Sequence, residues 1–135
     1  MEMQIQIPRA VLTALNQVYE IEQKVKKHGD PGNISRHLGK VKDAFAEEGL
    51  PMWDTGGAQL RLGLVCEDPM GQSFNETRTD LEATISGTGT EHLVVVEVIK
   101  PIVRAVVRDG AGQFSRVIQK GIVVVESRKE QQKHE

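Results

Sequence analysis

The tripeptide Asp54-Thr55-Gly56 is the part of this sequence that comes nearest to a catalytic motif. An Asp followed by Thr and Gly is the pattern of aspartic proteases, in which two carboxylates share one proton and activate water. In a dimeric enzyme each copy supplies one of these carboxylates. Here Pro51-Met52-Trp53 precedes the Asp, whereas such an enzyme needs the end of an apolar strand at this point. A dimeric aspartic protease that uses Asp54 is therefore a minor hypothesis beside a simple turn between a helix and a strand.

The other nucleophilic and metal-binding side chains form no pattern that indicates chemistry. The chain has four His and a single Cys, Cys66, and no His is spaced from another ligand as in a zinc site. Cys66 falls on the apolar face of a predicted strand, where burial makes a thiol a poor nucleophile. Gly110-Ala111-Gly112 opens no helix that could receive a phosphate, so it is predicted to be a hairpin loop. The sequence thus predicts a protein that is not an enzyme and needs neither a metal nor a cofactor.

Composition and charge narrow the classes of partner. The 135 residues carry a net charge of −2 at pH 7, and aromatic residues make up 4% of them. A chain with no excess of positive charge and few rings is not expected to bind nucleic acid. The N-terminus lacks the basic start and apolar run of a secretory signal, and the longest apolar stretches fall far short of the roughly 20 residues that cross a bilayer. We expect a cytoplasmic protein that does not enter a membrane.

The first element that could organise these residues is a helix over residues 9–28. Pro8 suits its first turn, and Gly29 is expected to end it. Apolar residues recur along it at alternating spacings of three and four, the a/d pattern of a helix that packs against another helix. This stripe consists of Val11, Ala14, Val18, Ile21 and Val25. It predicts either a helix packed on its own sheet or a self-associating helix that makes the protein a dimer.

A second helix is predicted after the turn at residues 28–33. Asn33 would be its N-cap, and the helix would reach about Glu48 before Gly49 ends it. One face of this helix carries the apolar residues Ile34, Leu38, Val41 and Phe45. Two short helices with narrow apolar stripes bury too little surface to be stable alone, so the predicted αα-hairpin needs a partner surface.

From Leu50 onward the apolar period changes to that of β-strands. Residues 58–66 alternate, which places Leu60, Leu62, Leu64 and Cys66 on the core face of a strand. Residues 81–85 also alternate and predict a strand, although Ser73 with Glu76 could instead cap a helical turn.

Three stretches rich in β-branched residues are predicted to close the chain as strands over 92–100, 102–108 and 116–126. The fold class is therefore α+β, with an N-terminal helical hairpin followed by a small, mostly antiparallel β domain. The expected organisation is a helical dimerisation segment at residues 1–50, a β domain at 51–127 and a disordered tail at 128–135.

This order of elements resembles GrpE, the nucleotide exchange factor of DnaK-type chaperones. The resemblance covers most of the chain and includes the Gly-x-x-Phe segment at Gly71-Gln72-Ser73-Phe74. It is clearest in the closing strands, where residues 94–100 read Val-Val-Val-Glu-Val-Ile-Lys and residues 116–125 read Arg-Val-Ile-Gln-Lys-Gly-Ile-Val-Val-Val. The chain departs from the family in four places, two of which are Leu81-Glu82-Ala83-Thr84 in place of the family's His-Glu-Ala-Val and Lys100-Pro101 in place of its Gln-Lys-Gly-Tyr. The long N-terminal helical stalk is cut down to the single predicted helix, and residues 57–70 look like an inserted strand.

The resemblance implies a homodimer in which the first helices pair and the second helices complete a four-helix bundle. Its interface would comprise Val11, Ala14, Val18, Ile21, Val25, Leu38, Val41 and Phe45. The resemblance also implies binding to a DnaK-type chaperone ATPase, or a related ATPase, and promotion of ADP release.

The residues that would contact the ATPase are Arg116, Ile99 and Val125, each of which also has a simpler structural explanation. Arg116 could be a solvated strand cation, and Ile99 and Val125 could be core residues. The alternative function is a stand-alone protein-interaction module that has a GrpE-like fold and no exchange activity.

Overall fold

The computed structural model describes residues 6–53, 56–109 and 112–128, and this part of the chain holds two α-helices and two four-stranded sheets. The helices are α1 (Arg9–His28) and α2 (Ile34–Asp43), and a π-helical turn, Ala44–Glu48, continues α2. The strands are β1 (Leu50–Trp53), β2 (Gln59–Glu67), β3 (Ser73–Phe74), β4 (Leu81–Ile85), β5 (Leu93–Lys100), β6 (Ile102–Asp109), β7 (Gly112–Gln119) and β8 (Gly121–Ser127). The class is α+β, as predicted, because the helices precede the strands and do not alternate with them.

The chain divides into two compact units. The first comprises Met1–Cys66 with Ala105–Arg116, and the second comprises Glu67–Arg104 with Val117–Glu135. One sheet has the strand order β1-β2-β6-β7, and the other has the order β3-β5-β8-β4. The boundary predicted at residue 50 does not divide these units, since β1 and most of β2 belong with the helices. The predicted tail lies outside the described residues except for Arg128.

Helix α1 begins and ends at the predicted residues. Pro8 stands before its first turn, and the N–H of Gly29 donates to the carbonyl oxygen of Val25 over 2.9 Å. Lys26, Lys27 and His28 occupy the last turn, where positive charge favours the negative end of the helix dipole. Neither α-helix in the described part of the chain has the length and apolar composition that a membrane span requires.

The start of α2 differs from the prediction in the residue that caps it. Asn33 has a φ of 59°, and its side chain makes no capping hydrogen bond, because an N-cap side chain needs the extended backbone that Asn33 lacks. Asp30 accepts hydrogen bonds instead from the backbone N–H of Ser35, at 3.0 Å, and from the Ser35 hydroxyl. Asn33 therefore occupies the predicted N-cap position, but its side chain does not cap the helix. Further along, Lys42 of α2 pairs with Glu22 of α1 at 3.3 Å.

Strand β2 is the central apolar strand of the first unit. Leu60, Leu62 and Leu64 are all buried, as the alternation predicts, and Cys66 is half-buried. Gly63 lies among them because the π-helical turn comes very close to the strand backbone. A Cβ atom at position 63 would lie 2.4 Å from the carbonyl oxygen of Ala46.

The second unit is built around the pairing of β5 with β8. These two strands are antiparallel, β3 is antiparallel to β5, and β4 is parallel to β8. The core of this unit is formed by Leu81, Leu93, Val95, Ile102, Val123 and Val125. The strand predicted at residues 81–85 is confirmed, whereas the helical turn capped by Ser73 is wrong because Ser73 lies in β3.

Four strands close the chain, not the three that were predicted. The predictions for residues 92–100 and 102–108 match β5 and β6, but the stretch predicted at 116–126 is divided between β7 and β8. The division occurs at Lys120 because β7 pairs in the sheet β1-β2-β6-β7, whereas β8 pairs in the sheet β3-β5-β8-β4. The N–H of Gly121, which begins β8, donates to the carbonyl oxygen of Asp80 over 3.0 Å.

Candidate partner-binding surface

Ile99 is more than half exposed, although it belongs to a strand of the second unit. Its exposed fraction is 52%, and its neighbour Val98 packs against the core. The pairing of β5 with β8 shifts register twice, between Val95 and Glu97 and again between Val98 and Lys100. Each shift adds a residue to β5 and breaks the simple alternation of sides, as β-bulges do. After the first shift Val98 is paired with the buried Val123, and Ile99, the extra residue at the second shift, is exposed.

The end of β5 is fixed by a hydrogen bond beyond Ile99. The side-chain amide of Gln119 donates to the carbonyl oxygen of Pro101 over 2.9 Å. Pro101 itself is fully buried, and its ring fixes the backbone where β5 passes into β6. Ile99 is therefore exposed on a segment of strand whose backbone is fixed.

Val125 does not lie on a surface. It is 0% exposed and is paired with Val95 in the core of the second unit. A side chain without exposed area cannot contact another protein in this conformation. The assignment of Val125 to partner binding is corrected accordingly, and its role is to pack the core, the simpler of the two explanations that its sequence position allowed.

Arg116 is an exposed residue of β7 and belongs to the first unit, whereas Ile99 belongs to the second. Arg116 takes part in interactions within the chain. Its position on an exposed stretch of strand is compatible with either of the roles that the sequence allows.

The Gly71–Phe74 segment, which carries part of the family resemblance, is held against β5. The N–H of Gly71 donates to the carbonyl oxygen of Val95 over 3.0 Å, and the N–H of Val95 donates to that of Gln72 over 2.9 Å. Gly71 has a φ of 80°, which a residue with a side chain adopts only with strain. Phe74 packs its ring against the core of the second unit.

An ion-pair network also holds the Gly71–Phe74 segment in place. Asp80 accepts two hydrogen bonds from Arg78, each of 3.0 Å, and one of 2.8 Å from Arg104. Arg104 also pairs with Glu67. Arg78 donates in addition to the side chain of Gln72 and to the carbonyl oxygen of Ser73, each over 3.0 Å. The network thereby joins the start of β4, the Gly-x-x-Phe segment and β6 within the second unit.

The electrostatic environment keeps this network ionised. The hydrogen bond from Arg78 is the largest cause of a lowered pKa at Asp80, and the charges of Arg78 and Arg104 act in the same direction against burial. Burial acts to lower the pKa of Arg104, but the hydrogen bonds and charges of Glu67 and Asp80 outweigh it and raise that pKa above its ordinary value. Sequence reasoning missed this network because Arg104 lies 24 residues from Asp80 and 37 from Glu67 in the chain.

The predicted dimer stripe of α1 is not the face that α1 buries. The buried residues of this helix are Leu15 and Tyr19, while Ala14 and Ile21 are exposed and the valines of the stripe are half-buried. Leu15 lines a small cavity together with Ala46 and Leu64 of the same unit. The helix thus packs within its own unit through its larger side chains, which bury more apolar area than valine or alanine. The spacing of four between Leu15 and Tyr19 is the sequence signal for this face.

The interface residues predicted in α2 and in the turn that follows it also differ in burial. Leu38 is buried, Phe45 is half-buried, and Val41 is 39% exposed. Ile21 of α1 and Ile34 of α2 are exposed to similar extents, 42% and 37%. The first unit therefore keeps an exposed apolar set on its helices, which we call the helix patch: Ala14, Ile21, Ile34 and Val41.

The remaining candidate sites are a metal site and the aspartic-protease motif. No three His, Cys, Asp or Glu side chains converge there as metal ligands would. Asp54 and Thr55 of the protease hypothesis lie outside the described residues, so that hypothesis stays a prediction. No family model, curated protein or solved structure matches this chain.

Proposed function

We propose that this protein is a GrpE-like exchange factor, which dimerises through its helices, binds a DnaK-type ATPase in the cytoplasm and promotes ADP release. The observation that carries the proposal is the exposed Ile99, which the sequence resemblance assigns to the ATPase contact. Such a side chain contributes binding free energy when a partner covers it, and its strand is already fixed in position.

The helix patch supports the proposed dimerisation. A monomer gains nothing by exposing Ile21, Ile34 and Val41 on neighbouring helices, whereas a second copy could bury them. The two halves are independent, because Ile99 and the helix patch belong to different units.

Exchange of this kind needs no catalytic group. A protein that binds the open form of an ATPase more tightly than the ADP-bound form weakens ADP binding by the factor by which ADP weakens its own binding. The required chemistry is a surface with the right shape and apolar anchors. Ile99 is such an anchor, and the two β-bulges that expose it belong to the strand and not to a mobile loop.

The test is release of fluorescent ADP from a preloaded DnaK-type ATPase on addition of the protein. We expect the wild-type chain to accelerate release and Ile99→Asp to lose about tenfold or more of that effect, because hot-spot truncations cost about 2 kcal/mol. The matched control is Ile85→Asp, which changes an isoleucine of similar exposure, 45%, on the edge strand β4 of the same sheet. Thermal unfolding of both variants shows that the fold is retained.

Two results would contradict the proposal. One is the absence of acceleration with several DnaK-type ATPases; if the protein nevertheless binds them, it is the stand-alone interaction module that the sequence leaves as the alternative. The other is an equal loss for Ile85→Asp and Ile99→Asp, which would place the contact elsewhere than on the exposed part of β5.

A further inference from the structure

A cleft of about 470 Å³ opens in the first unit, where β1, β2 and β6 meet the turn after the π-helix. Arg61 of β2 and Arg108 of β6 line it, together with Pro51, Gln59 and Glu48. Its volume falls in the range of about 300 to 1,000 Å³ that is common for sites of small ligands. None of these residues belongs to the surfaces discussed above.

The two guanidinium groups at the cleft are without an acidic partner in the described part of the chain. Both arginines are exposed, and neither side chain forms an ion pair or hydrogen bond in that part of the chain. Arg78 and Arg104 of the second unit, by contrast, are paired with carboxylates. Two planar forks of N–H donors at one cleft match the oxygen atoms of a phosphate group, which arginine binds in a bidentate manner.

An exposed indole lies on the same face of β1 and β2. Pro51 pairs with Arg61 and Trp53 with Gln59, so these four side chains share one face of the two strands. Trp53 is diagonal to Arg61, a relation that places Cβ atoms roughly 7–8 Å apart and within reach of aromatic and long side chains. It is 63% exposed, the largest exposed fraction among the large apolar residues described. A flat apolar ring in this position offers a stacking surface beside the cationic cleft.

We propose that this face binds a small nucleotide, with its phosphate groups on Arg61 and Arg108 and its base against the ring of Trp53. Glu48 supplies the negative charge at the cleft, and a carboxylate there can accept hydrogen bonds from the hydroxyl groups of a ribose. A single ring and two arginines suit one nucleotide, whereas a nucleic acid strand needs a longer cationic track than a chain of net charge −2 provides. The site is independent of the proposed exchange activity.

The test uses Trp53 as its own reporter, since it is the single tryptophan of the chain. We expect ADP to quench its fluorescence in a saturable way, and calorimetry to show weaker binding of pyrophosphate and of adenosine than of ADP. Arg61→Gln and Arg108→Gln should each weaken ADP binding about tenfold, since a charge-assisted pair contributes about 1.4 kcal/mol or more. Trp53→Leu, followed by calorimetry, should weaken binding of ADP but not of pyrophosphate.

The matched control is Arg36→Gln, which removes an exposed and unpaired arginine of α2 away from the cleft. The proposal is overturned if millimolar ADP produces no saturable signal, or if Arg36→Gln weakens binding as much as Arg61→Gln does. It is also overturned if pyrophosphate binds as tightly as ADP and Trp53→Leu changes neither affinity. The double variant at Arg61 and Arg108 should be included in the ADP-release assay, because it separates capture of ADP by this protein from exchange at the ATPase.

Discussion

Asp80 joins separate segments of the second unit, since it receives hydrogen bonds from both Arg78 and Arg104. Asp80→Asn removes the charge and leaves two partly buried guanidinium groups with a weaker acceptor. We expect the variant to lose about 1–2 kcal/mol of unfolding free energy, the cost of an incompletely paired polar group. Urea unfolding at pH 7 measures this loss. Glu82→Gln, an exposed carboxylate of β4 without such partners, is the control and should change stability little.

The same carboxylate predicts a pH dependence of stability. The folded pKa of Asp80 lies below its ordinary value of 3.8, so the unfolded chain takes up protons first as the pH falls. The stabilisation is complete above the unfolded pKa and disappears as the pH drops through the folded pKa. We expect the urea midpoint of the wild-type chain to fall below pH 4, and the difference between wild type and Asp80→Asn to shrink over that range. A difference that stays constant down to pH 2 would exclude this role for the Asp80 charge.

Two glycines of the first unit provide a matched pair. Alanine at Gly63 would bring a Cβ atom within 2.4 Å of the Ala46 carbonyl oxygen, while alanine at Gly39, inside α2, would meet nothing within 4 Å. We expect Gly63→Ala to destabilise the fold by about 1–3 kcal/mol through overpacking. Gly39→Ala should stabilise it by about 0.5–1 kcal/mol, because alanine favours a helix interior. Urea unfolding of both variants under the same conditions should give changes of opposite sign in the free energy of unfolding. Changes of the same sign would contradict this geometry.

At the scale of elements, the cap of α2 can be tested by comparing Asp30 with Asn33. Asp30→Ala removes the acceptor for the N–H of Ser35, so we expect lower helix content and lower stability. Asn33→Gly removes a side chain that caps nothing and relieves a left-handed backbone, so it should cost nothing. Circular dichroism with thermal unfolding checks both variants. A larger loss for Asn33→Gly would restore the cap that the sequence predicts.

The elements that sequence patterns predicted best are those fixed by local rules. The ends of α1 follow from Pro8 and Gly29, and the alternation around Leu62 places β2 correctly, because a period and a punctuating residue suffice in each case. Capping by Asn33 was predicted from its residue type, whereas its left-handed backbone is set by the turn around it. Residue type alone does not determine φ.

Patterns that depend on distant contacts were predicted less well. The valine stripe of α1 has the spacing of an interface, but Leu15 and Tyr19 bury more area and decide which face packs. The break between β7 and β8 depends on which sheet each half joins, and the sequence contains no local signal for that choice. The exposure of Ile99 likewise comes from register shifts against β8. Val125 is buried in the core, which was the simpler of the two explanations that its sequence position allowed.

At the scale of the whole molecule, the exposed apolar residues of the two helices predict the oligomeric state. The residues of the helix patch are exposed and form no part of the core of the first unit, so a second copy is the occupant expected for them. We expect sedimentation equilibrium to give twice the mass of 14.9 kDa. Ile21→Asp should shift the protein toward monomer, since a buried charge without a partner opposes association. The exposed fraction of Ile21, 42%, allows the monomer to keep its fold.

The control for this prediction is Thr13→Asp, which adds the same charge to an exposed position on α1 about 80° to 100° around the helix from Ala14 and Ile21. If the helices pair through the helix patch, Thr13→Asp remains a dimer at concentrations where Ile21→Asp is monomeric. If the wild-type chain sediments as a monomer at all concentrations, helical dimerisation is wrong. The ADP-release assay would then decide separately whether one unit with an exposed Ile99 is sufficient for exchange, because that surface does not depend on the helices.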